Sequence, residues 1–123
     1  MSAFGLSKST EEEKKVRTQA IQEATKNAIE VPFAVMQLAY ESMSVIKAMA
    51  EVGNPNSISD AGVGALCARS AVMGAFMNVR INAKDYMDKN FVNDIVARGK
   101  ETEGKTIELE KEILKIVNEK IGL

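Results

Sequence analysis

Two short stretches of this sequence gather side chains that can bind a ligand and move protons. The first, Gly53-Asn54-Pro55-Asn56-Ser57-Ile58-Ser59-Asp60, places amides and hydroxyls ahead of an aspartate. At a helix start the unpaired backbone N–H groups favour anions and stabilise an ionised Asp60. As bare sequence the same stretch also reads as a capped turn. The second, Asn78-Val79-Arg80-Ile81-Asn82, holds two amides four residues apart, which share one helix face. Arg80 is turned about 200 degrees from them, so the three cannot serve one ligand from one helix. Polar groups at the end of an apolar helix need partners, and satisfied structural amides are the competing reading. Arg69 and Arg80 fall on one face about 16 Å apart, and either can hold a carboxylate. For Arg69, in the middle of an apolar run, a buried ion pair is the expected role.

Composition removes much other chemistry. The 123 residues contain no histidine and one cysteine, Cys67, which excludes a disulfide framework, a zinc site and any histidine-based triad within the chain. No metal is expected. Proton transfer is left to carboxylates, lysine, tyrosine or water. Cys67 has no neighbour that lowers its pKa and reads as a small packing residue. With 16 basic and 17 acidic residues the net charge is -1, too little positive field for a nucleic-acid partner. Residues 61 to 79 are almost wholly apolar and near the length of a membrane span. Arg69 at their centre and the absence of an aromatic belt favour a buried helix and no membrane partner. The opening Met1-Ser2-Ala3-Phe4-Gly5 lacks a basic and an apolar signal region, so the expected location is cytoplasmic.

Three helices must position these residues. Ser9 and Thr10 lie three residues before Glu12 and Glu13, a capping-box spacing that starts a helix near Glu11. From there Ile21, Ala24, Ala28, Val31, Val35, Leu38, Ser42, Val45, Met49 and Val52 recur at steps of three and four, and the register runs straight through Pro32. Proline removes a helix bond and clashes with the carbonyl of Ala28, so one kinked helix of about forty residues is predicted. Turn residues end it at 53–57. Ser57 or Ser59 is expected to cap a second helix opening with Asp60. This helix is apolar on all sides and rich in Gly, Ala and Ser, hence central and tightly packed. A third, amphipathic helix follows through Phe91, Ile95, Ile107, Ile113 and Val117, with Gly99 and Gly104 weakening its middle. Glu101 with Lys105, Glu108 with Lys111 and Glu112 with Lys115 have helical spacing and read as a solvated face. The fold expected is an all-α up-and-down bundle, one domain over residues 1–123. Three helices leave the central one with at most two covering neighbours, so a homodimer or higher homo-oligomer is expected.

Three strings carry a family resemblance: Ile29-Glu30-Val31-Pro32-Phe33, then Gly53 through Leu66, then Gly74-Ala75-Phe76-Met77-Asn78-Val79-Arg80-Ile81-Asn82. In this order and spacing they resemble the formiminotransferase-cyclodeaminase family, which also includes methenyltetrahydrofolate cyclohydrolase-like proteins. The resemblance covers essentially the whole chain. It implies folate one-carbon chemistry with a tetrahydrofolate derivative as substrate, and first of all the cyclodeaminase reaction. There the formimino group on N5 closes onto N10, ammonia leaves, and a methenyl bridge remains; the cyclohydrolase is the alternative. It further implies Asp60 as the catalytic group, with Asn56 and Ser59 beside it at the pterin or reaction region. Asn78 and Asn82 become orienting amides, and Arg80 or Lys84 would meet the anionic glutamate tail. The family's domain begins with a Gly-rich loop, small-residue helices and an acidic helix that have no counterpart here. The chain is accordingly expected to correspond to the later part of that domain.

Overall fold

The structure, a computed structural model, describes residues 2–123. A short 3-10 turn at Ala3–Gly5 precedes helix α1, Glu11–Val52. A second 3-10 turn, Pro55–Ser57, leads into α2, Ile58–Ala83, and α3 spans Lys89–Ile121. Among the described residues there is no strand. The all-α expectation holds, and α1 runs unbroken through Pro32 as one helix of 42 residues. Its start is the capping box of Thr10 and Glu13: Thr10 Oγ1 accepts from the Glu13 amide, and Glu13 Oε2 accepts from the Ser9 and Thr10 amides and from Ser7 Oγ. These donors, the Ser7 hydroxyl foremost, hold the Glu13 carboxyl below the usual carboxylate range.

One sequence expectation needs correction. Ser57 occupies the cap position of α2 but makes no side-chain cap bond; Ser59 and Asp60 lie inside the first turn, which begins at Ile58. The α1 residues of the core are Ile29, Phe33, Met36, Met43 and Ala50, with Ala39, Tyr40 and Ile46 packed against them, rather than the stripe from Ile21 to Val52. That stripe is largely exposed, with Val31, Val35, Leu38, Val45, Met49 and Val52 each half or more open to solvent. Both sets recur at helical spacing. The set carrying Phe33, Met36 and Met43 fills the space against α2, since larger side chains remove more apolar area from water.

The helices run up, down and up. Ala28 opposes Asn82 and Ile46 opposes Gly64 across α1 and α2; Gly62 opposes Val117 and Arg69 opposes Glu110 across α2 and α3. One core cluster, built on Ile29, Met36, Phe76, Val79 and Ile95, fills the end near the α2–α3 turn. A second, built on Met43, Ala65, Ile113 and Val117, fills the other end. Tyr40 packs against both. Between them lies a polar layer. Arg69 donates to Glu110 Oε1 at 2.6 Å, Gln37 donates to Thr102 Oγ1 at 3.3 Å, and the buried Thr106 hydroxyl returns to the Thr102 carbonyl at 2.7 Å. The ion pair expected for Arg69 is therefore present. On the solvated face of α3, Lys105 pairs with Glu101 and Lys111 with Glu108, whereas Glu112 pairs with Lys47 of α1.

Glycines set the close approaches in the α2–α3 seam. At Gly99 a Cβ would fall 2.6 Å from Phe76 Cδ2, so this residue is the flat bed for a buried ring. At Gly62 a Cβ would meet Val117 Cγ1 at 3.1 Å. α2 is long and apolar enough to cross a membrane by length and composition; one side of it packs between α1 and α3, while Val63, Leu66, Met77 and Ile81 on the other are exposed.

Glu110 is 4% exposed and its Oε2 has no partner among the described residues, so the carboxylate depends on Arg69. Arg69→Met is expected to lower the unfolding free energy by about 2 kcal/mol, less than for a fully enclosed pair because the Arg69 side chain keeps 39% exposure. Adding Glu110→Leu should restore most of the loss. Urea titration of the three proteins measures this; a double variant no more stable than Arg69→Met would show that the pair is not what the seam depends on.

Candidate functional site

The loop motif and the asparagine run occupy opposite ends of α2. At its N-terminal end, a pocket of about 400 Å³ is walled by Val45 and Met49 of α1 and rimmed by Asn54, Ser57 and Asp60. Asn54 Oδ1 accepts from the Asn56 amide at 3.0 Å, which folds the loop into a tight turn and presents its polar side to the pocket. Asp60 stands exposed in the first turn of α2, where free backbone N–H groups favour its negative charge. Of the three loop residues singled out from sequence, Asp60 alone lines the pocket. Asn56 and Ser59 are exposed outside it. Asn54 and Ser57, which the sequence reading placed in the loop without giving them a site role, supply the remaining polar rim. Asn54 directly before Pro55 was the available signal, because Asn side chains bond to the backbone two residues on.

At the other end, a groove of about 520 Å³ runs between α1 and α2. Val31, Pro32 and Val35 form one side, Ala71 and Gly74 the other, and Asn78 and Asn82 close it. Gly74 has nothing within 4 Å of where a Cβ would stand, so the floor there is open. Asn82 Nδ2 donates to the Ala28 carbonyl at 3.2 Å and to the Asn78 carbonyl at 2.9 Å. The two readings of this amide thus coincide: it is bound structurally and it lines a groove.

Arg80 and Lys84 belong to neither cavity. The Arg80 guanidinium lies over the Phe76 ring, 4.7 Å from its centroid, and Lys84 is exposed at the C-cap of α2. Asp60 and Asn78 are separated by 18 residues of one helix, about 27 Å, and Asp60 and Asn82 by about 33 Å. Within one copy of the chain no reacting atom can touch both ends. Yet Asp60, Cys67, Ala71, Gly74 and Asn78 follow one another at steps of seven, four, three and four, so they share the exposed stripe of α2. Among the described residues no cluster of three or more His, Cys, Asp or Glu side chains is placed to hold a metal ion.

The sequence matches the family model described as formiminotransferase-cyclodeaminase over residues 1–101. It is 41% identical to a methenyltetrahydrofolate cyclohydrolase of Methylorubrum extorquens, over 99% of this chain and 59% of that protein. It is also 42% identical to a formimidoyltransferase-cyclodeaminase of Gallus gallus and 35% identical to that of Rattus norvegicus, in each case over 74% of this chain and 17% of the relative. The chain therefore spans a little over half the length of the first relative and a small part of the others.

Because Asp60 is exposed and its side chain bonds to no described residue, its contribution to folding is limited to the helix-terminus field. Asp60→Asn is expected to change the unfolding free energy by no more than about 0.5 kcal/mol. Thermal and urea denaturation check this, and a loss of several times that size would make Asp60 a structural residue.

Proposed function

Since this chain belongs to the formiminotransferase-cyclodeaminase family, we propose that it acts on the one-carbon unit bridging N5 and N10 of tetrahydrofolate, as a methenyltetrahydrofolate cyclohydrolase. What favours that reaction is coverage: the likeness to a cyclohydrolase runs through nearly all of this chain, whereas the likeness to the formimidoyltransferase-cyclodeaminases leaves about a quarter of it unmatched. Cyclodeaminase is the second reading, favoured by the comparable identity to the chicken protein. Both reactions are additions and eliminations at the same carbon. In hydrolysis, water adds to the bridge carbon, one C–N bond breaks, a formyl group stays on the other nitrogen and a proton is released. In deamination, N10 adds to the formimino carbon and ammonia leaves.

In this reading Asp60 takes the proton from the attacking water, the task for which a positioned carboxylate is suited. Asn78 and Asn82 orient the ring system, and Asn56 and Ser59 approach it from the loop. Arg80 and Lys84, exposed near the asparagine end of α2, meet the carboxylates of the glutamate tail.

The separation along α2 implies that the working site forms between two copies. A two-fold axis passing Ala71 brings Asp60 of one copy level with Asn82 of the other, because residue 71 is midway between them. The exposed residues around that midpoint are Cys67, Ser70, Ala71 and Gly74, small enough for two helices to approach closely. Flanking them, Val63, Leu66, Met77 and Ile81 of α2 supply the apolar area that a stable dimer buries.

Purified chain is expected to hydrolyse methenyltetrahydrofolate, and Asp60→Asn to lower kcat/KM by about 100-fold while remaining folded. Ammonia release from 5-formiminotetrahydrofolate without hydrolysis would select the second reading. A calorimetric titration with no heat from any reduced folate would leave a helical interaction module instead. For the assembly, sedimentation equilibrium should report a dimer at micromolar concentration, and Ala71→Cys in a Cys67→Ser background should oxidise to a cross-linked pair. A folded, monodisperse monomer would overturn the two-copy site.

A further inference from the structure

Asn82 differs from the other groove amide in having both of its donor directions taken. Nδ2 is bound to the Ala28 carbonyl at 3.2 Å and to the Asn78 carbonyl at 2.9 Å, and Oδ1 is bound by nothing among the described residues. The Ala28 carbonyl is available because of its place in α1. Four residues further on, where an amide N–H would normally bond back to it, stands Pro32, which has none. A carbonyl left without a partner beside a packed helix must find another donor, and the nearest on α2 is Asn82. The amide cannot flip, since that would set Oδ1 against two carbonyl oxygens. Pro32 and Asn82 both line the groove, so the consequence of the missing N–H is felt at the ligand-facing surface.

We propose that Pro32 is a positioning residue: by freeing the Ala28 carbonyl it locks the Asn82 amide with Oδ1 facing the groove, so that this end of the groove accepts a hydrogen bond from a ring N–H. The proposal rests on the folate reading of the groove and adds to it a polarity. The heterocycle that fits presents donors at this end, as the amino and ring N–H groups of a reduced pterin do, and a ring presenting only acceptors there is rejected. Asn78, whose side chain has no partner among the described residues, can turn either way and confers no such bias. The groove therefore contains one fixed acceptor and one adaptable amide.

Pro32→Ala separates this role from a merely structural one, because the two readouts move in opposite directions. Alanine restores the helix bond to Ala28, so the melting temperature rises. It also gives Asn82 a competitor for that carbonyl, so the amide loosens. Binding of 5-formyltetrahydrofolate, followed by isothermal titration calorimetry on the full chain, is expected to weaken by about fivefold, the worth of one oriented neutral hydrogen bond. If Pro32 acts through Asn82, then Asn82→Ala and the double variant Pro32→Ala with Asn82→Ala bind equally weakly, so the effects do not add. Unchanged affinity in Pro32→Ala, or additive losses in the double variant, would overturn the positioning role while leaving the folate reading intact. Absence of binding by the unaltered chain would overturn the folate reading and this inference together.

Discussion

Three helices can enclose the middle one on two sides only, and most of this structure follows from that constraint. α2 is built of small and apolar residues around its whole circumference, so packing against α1 and α3 leaves a side uncovered. The same geometry leaves a second apolar stripe on α1, and the two open surfaces meet along the α1–α2 groove. Both cavities open on this side of the molecule, and the stripe that Asp60 and Asn78 share runs along it. The side that folding leaves uncovered is also the one on which the candidate residues Asp60 and Asn78 lie.

Within the enclosed side, polar groups are confined to one layer between two apolar clusters. Arg69 with Glu110, Gln37 with Thr102, and Thr106 with the Thr102 carbonyl divide the bundle at mid-height. A charged pair at one level of an otherwise apolar seam distinguishes the native alignment of α2 and α3 from shifted ones, since a slip would bury each charge against hydrocarbon. Gly99 beneath Phe76 and Gly62 beneath Val117 add a steric version of the same discrimination.

Much of this was legible in local pattern. The Thr10 capping box, the continuity of α1 through Pro32, the turn at 53–57 and a buried partner for Arg69 all follow from spacing, because each depends on neighbours in sequence or on a charge in an apolar run. The core-facing stripe of α1 was not, since two apolar sets with the same period run along that helix and only the volume to be filled against α2 distinguishes them. The partner of the Ala28 carbonyl lay out of reach for a related reason. Proline announces which carbonyl is freed, but the donor that meets it is 54 residues away on another helix. Which loop residues rim the pocket was not legible either, because the tight turn made by Asn54 decides that Asn54 and Ser57 line it while Asn56 and Ser59 lie outside.

The α2–α3 seam also sets the order in which the molecule comes apart. Most interhelix contact lies between α1 and α2, whereas α3 is joined through a surface containing a glycine, three hydroxyl or amide groups and a carboxylate with one unpartnered oxygen. The α1–α2 hairpin and the third helix are therefore unequal cooperative units. α3 is expected to be the element that lifts away in partial opening, with its amides exchanging ahead of those in the hairpin. Such an excursion exposes Phe76 and Val72 from behind while the groove and its two asparagines stay assembled on the remaining pair.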